Sequence, residues 1–150
     1  MWVDPQHPAN AGVLRFLCRG RQAADFIDPD DQVGDAYYGC GSHPEIVERV
    51  WDELGRGLPS DCRCVLGGTP ALVQSRTGIV LAVAMGTQYC LRLPDEGAVA
   101  EALAAGAQVV VEWPDLGRFN VQREFGPDWI FGRWLEQEPS WCLDVYYLFA

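Results

Sequence analysis

The chain has 150 residues, 49% of them apolar, including six Trp, five Tyr and six Phe. That suffices for one buried core without a disulfide or metal staple, and it excludes wholesale disorder. Eleven basic residues against 21 acidic ones give a formal charge of -10, which repels nucleic-acid backbones and anionic membranes and suits either solubility alone or a cationic protein partner. Every basic residue is Arg, so a Schiff base, a phosphate-loop lysine and a kinase-type lysine are excluded.

The N-terminus, MWVDPQHPANAG, has no basic region followed by an apolar run, and the longest apolar stretch, residues 79–85, is too short to span a bilayer. The expectation is one cytoplasmic domain over residues 1–150, with Cys18, Cys40, Cys62, Cys64, Cys90 and Cys142 reduced. Residues 1–43 form a poorly legible extension. Within it, residues 13–18 fit a strand or a short helix, because the run is too brief for periodicity to decide. Residues 25–35, DFIDPDDQVGD, read as an exposed acidic loop. A calcium loop needs Gly sixth and Glu twelfth, but counting from Asp28 those places hold Val33 and Gly39. Asp28, Asp30 and Asp31 are instead candidate contacts for a cationic partner.

Ser42-His43-Pro44-Glu45 predicts a helix start in which Ser42 and Glu45 cap each other's amides. Ile46, Val47, Val50, Trp51 and Leu54 then share one face, with Gly55 or Gly57 as the stop. Residues 62–93 predict a β-meander of three or four short antiparallel strands, broken at Gly67-Gly68, at residues 75–78 and at Gly86-Thr87. The Trp51 face is expected to lie on it. Pro94-Asp95-Glu96 opens a second helix to about Ala105, with Val99, Ala102 and Leu103 apolar. Residues 108–113 and 118–123 predict a hairpin across the Pro114-Asp115-Leu116-Gly117 turn. The C-terminal part is aromatic. Pro139 can begin a last helix, and Trp129, Trp134 and Trp141 serve either as rings closing the sheet or as an exposed partner patch or homodimer interface.

Arg63 followed by Val65-Leu66-Gly67-Gly68, then residues 78–83, then Tyr89-Cys90-Leu91-Arg92-Leu93-Pro94-Asp95, resembles the TfoX N-terminal domain family and its YjbR-type relatives. The likeness covers about residues 44–96. That family has Met-Phe before the two glycines where this chain has Val65-Leu66. The resemblance implies an α+β domain without a catalytic constellation, in a family of regulatory or uncharacterised bacterial proteins.

The sharpest chemical pattern is Cys40, His43, Cys62 and Cys64, a C-x2-H pair and a C-x-C pair separated by 18 residues. Zinc takes four such ligands in a tetrahedron, but C-x-C on a strand sends its sulfurs to opposite faces unless a turn intervenes. Nucleophilic catalysis would need His7 or His43 as its base, and no GxSxG elbow occurs. The sequence therefore predicts an α+β fold, with an antiparallel sheet of about five to six strands and two or three helices packed on it. It also predicts a binding module without cofactor, directed at another protein. Three readings stand: a regulatory domain, a small acidic immunity-type inhibitor of a basic partner, or an enzyme converging on His43 or Arg92.

Overall fold

A computed structural model describes residues 3–18, 43–55, 62–86, 88–113 and 117–132. The meander forms as the turn chemistry dictates. Strands β1 (Arg63–Leu66) and β2 (Thr69–Val73) join across Gly67 and Gly68, whose φ values of 57° and 87° are the paired positive angles of a two-residue hairpin. Strands β3 (Val80–Met85) and β4 (Gln88–Arg92) continue it antiparallel. Between Leu72 and Val73 the register with β3 slips, leaving Leu81 as an extra residue. Leu81 and Ala82 consequently pack into the same core layer.

The sequence does not predict the fifth strand of this sheet. Strand β7 (Trp129–Phe131) pairs with β4, giving the order β1-β2-β3-β4-β7. The architecture is a mixed α+β fold, with this five-stranded antiparallel sheet and a separate two-stranded one, β5 (Val110–Trp113) and β6 (Gly117–Asn120). Beyond β6 the expected strand gives way to helix α4 (Val121–Phe125), because the Asn120 side chain accepts from the Arg123 amide and caps a helical turn. The undecided run at residues 13–18 is helical: α1 (Ala11–Cys18) follows a 3-10 turn, Pro8–Asn10.

Both faces of the sheet are covered, which is why β2 and β3 are buried along their whole length. One layer holds α1, α4 and the β5–β6 hairpin over Val73, Val83, Met85 and Phe131. Its close approach depends on Gly12, where a Cβ would lie 2.6 Å from the carbonyl oxygens of Glu124 and Phe125. The other layer holds α2 (Pro44–Glu48) with its continuation, and α3 (Glu96–Ala104), over Leu72, Leu81, Tyr89, Leu91 and Ile130.

As expected, Ile46, Val47, Val50, Trp51 and Leu54 are all buried on the meander, and Trp51 Nε1 donates to Ala71 O at 3.0 Å. The helix itself is not uniform. Residues Arg49–Leu54 widen into a π-helix. An α-helix would bond the Gly55 amide to the Trp51 carbonyl, but that carbonyl accepts from Arg63 Nε at 3.0 Å, and the Gly55 amide donates to Val50 O instead. In α3, Val99 and Ala102 are buried as predicted, whereas Leu103 points outward and is 40% exposed.

Candidate functional site

His43 heads α2. Its Nδ1 accepts from the Glu45 amide at 3.1 Å and its own amide donates to Gly86 O, so the imidazole is the N-cap that the sequence assigns to Ser42, a residue outside the described ones. His7 repeats the device before Pro8, with Nδ1 accepting from the Ala9 amide at 3.1 Å. An imidazole nitrogen that accepts a backbone amide is engaged as a cap.

Of the proposed zinc set, Cys40 lies outside the described residues, and Cys62 and Cys64 are both buried. Cys64 Sγ faces Ala71 O at 3.7 Å as a donor. Burial first, and the neighbouring Cys62 second, push the Cys64 thiol up to about 12, as for a small buried side chain. Among the described residues, no group of three or more His, Cys, Asp or Glu is placed to hold a metal ion.

Arg92 is held through both terminal nitrogens: Nη1 donates to Ala9 O at 3.1 Å and Nη2 meets Asp128 at 3.4 Å. Burial lowers its pKa, and Asp128 works against that shift. Arg49 stacks over the Tyr89 ring at 5.5 Å and pairs with Glu53. Burial opposes its charge, yet the bond to Glu53 and the contact with Tyr89 outweigh burial and raise its pKa.

The proposed partner contacts divide. Asp28, Asp30, Asp31, Trp134 and Trp141 lie outside the described residues. Trp129 is not a surface ring: it is fully buried in β7, edge-on to Phe125 with centroids 5.1 Å apart. The reason is its register, since pairing with Arg92 turns its side chain into the aromatic layer under α4.

Sequence reasoning missed the distribution of charge between the two layers. The helices of one layer expose Glu45, Glu48, Asp52, Glu53, Asp95, Glu96 and Glu101, with Arg49 as their basic residue. The opposite layer carries Arg15, Arg118 and Arg123 against Glu112 and Glu124. Helical spacing predicted each helix's polar face, but only the topology puts both helices on one side of the sheet. No family model, curated protein or solved structure matches the chain.

Proposed function

We propose that the protein is a non-catalytic binding module that recruits a cationic protein through its acidic helix layer, acting in the bacterial cytosol in the regulatory role that the TfoX-like segment implies. The carrying observation is the charge split among the described residues: exposed carboxylates crowd the α2 and α3 layer, while those of the other layer are close to balanced by Arg. Such one-signed faces accelerate encounter with an oppositely charged partner. The groups considered for chemistry support this reading, because His43 is engaged as a helix cap and Cys64 as a buried, protonated thiol. No helix among the described residues is long and apolar enough to cross a membrane.

The overall charge of -10 also favours a narrower version, a small acidic inhibitor of the immunity-protein kind that masks a basic partner's active site. Asp28, Asp30, Asp31, Trp134 and Trp141 join the proposal as further contacts. The test is to capture the partner from native lysate, identify it, and measure its association rate against ionic strength. The reading expects the rate to fall steeply with salt and to drop when Asp28, Asp30 and Asp31 are changed together to Asn. A salt-independent rate contradicts it.

A further inference from the structure

We propose that Arg63, with the room left by Gly55, holds the end of the Trp51 helix in its π register, and that withdrawing the Arg63 donor returns this turn to α. The inference goes beyond the binding reading and does not rest on it.

A π-helical turn is rare, and it recurs at functional sites. Here it spans Arg49–Leu54, a run RVWDEL that contains neither Pro nor Gly, so its cause lies outside the run. Two contacts meet at one atom, the Trp51 carbonyl oxygen. From β1, Arg63 Nε donates to it at 3.0 Å, while Arg63 Nη2 stands 3.8 Å from Asp52 Oδ1 on the same turn. From the other side Gly55 closes on it: a Cβ at that position would run into the Trp51 oxygen. The Gly55 amide donates instead to Val50 O at 3.1 Å. Its φ of -80° is open to any residue, so glycine is needed there for space and not for conformation.

A carbonyl can accept two bonds, so the contest at Trp51 is one of direction and not of capacity. An α-helical bond to the Gly55 amide needs that carbonyl along the helix axis, and Arg63 draws it aside. Trp51 cannot follow as a whole, because its ring is fully buried and Nε1 donates to Ala71 O at 3.0 Å. Exposed Glu45 and Glu48 precede this anchored residue, and exposed Asp52 and Glu53 follow it. With the indole fixed, a change of register alters the bearing of the second pair relative to the first. Arg63 and Gly55 thereby give the acidic face two settings, selected from the sheet.

NMR couplings across hydrogen bonds, between an amide nitrogen and the carbonyl carbon of its acceptor, read the register in the isotope-labelled full chain. The unaltered protein is expected to couple the residue 55 amide to the Val50 carbonyl. Arg63→Met keeps an apolar stem and removes the donor, and the coupling is expected to pass to the Trp51 carbonyl. Asp52→Asn removes the ion pair alone and is expected to leave the coupling at Val50. Gly55→Ala fills the space beside the Trp51 oxygen with Arg63 in place, and is expected to transfer the coupling as Arg63→Met does. Circular dichroism checks that each variant is folded, and if Arg63→Met is not, Gly55→Ala decides. A coupling that stays at Val50 in folded Arg63→Met or Gly55→Ala overturns the proposal, as does a transfer produced by Asp52→Asn alone.

Discussion

Single side chains tie this fold together more than the sequence suggests, and Asn10 is the clearest case. It is fully buried; Nδ2 donates to Asp4 O at 2.8 Å and Gly78 O at 2.9 Å, while Oδ1 accepts from the Val80 amide at 2.9 Å. It thereby fixes the N-terminal segment to the start of β3. Asn10→Ala removes three bonds and leaves the buried Val80 amide without its acceptor, while Asp4 O and Gly78 O keep backbone donors, so urea denaturation should show a loss of about 2–3 kcal/mol. Nothing local in QHPANAG reveals this, because two of the three partners lie 68 and 70 residues away. Cys64 gives a pH signature. Its thiol holds a proton up to about 12 when folded, against the ordinary 9.0. Between those values the unfolded chain loses the proton first, so the folded state binds more protons and its stability falls as pH rises. The urea midpoint should decline across that window, with a contribution of up to about 1.4 kcal/mol per pH unit from this group. Cys64→Ala should flatten the decline, and an unchanged slope would remove the buried thiol from the explanation.

Elements read well from sequence where their cause is local. Gly67-Gly68 and Gly86 punctuate the meander, and the 3.6-residue spacing of Ile46, Val47, Val50, Trp51 and Leu54 marks the helix and its buried face. Elements whose cause is distant do not read. Strand β7 is three residues long and exists because β4 offers it an edge. In the π-helical turn the Trp51 carbonyl accepts from Arg63, which lies on another element. Between these lies α4, whose signal was present in Asn120 but whose five residues are too few for periodicity. The start of α2 offers a direct check on His43. If the imidazole acts as an N-cap, His43→Ala should cost about 1 kcal/mol and His43→Asn should recover most of it. Recovery by Asn is the informative part, since an amide supplies a cap acceptor and no general base. Equal losses in both variants would contradict the capping role.

For the whole molecule, the sheet sorts the charge. Composition gives -10 but not its placement; among the described residues, α2 and α3 land on one face with most of the exposed carboxylates, and α1, α4 and the β5–β6 hairpin lie on the other. The candidate site was therefore half legible: the sequence implied an acidic binder, while its loop and Trp candidates fell outside the described residues or, for Trp129, inside the core. The surface that remains is built from exposed carboxylates whose association depends on topology. The most direct measurement is amide hydrogen exchange on the protein alone and with its captured partner. The account expects slowed exchange over residues 44–54 and 96–104, with α1 and residues 117–125 unchanged. Protection confined to α1, α4 and the β5–β6 hairpin, with the acidic helices unaffected, would contradict it.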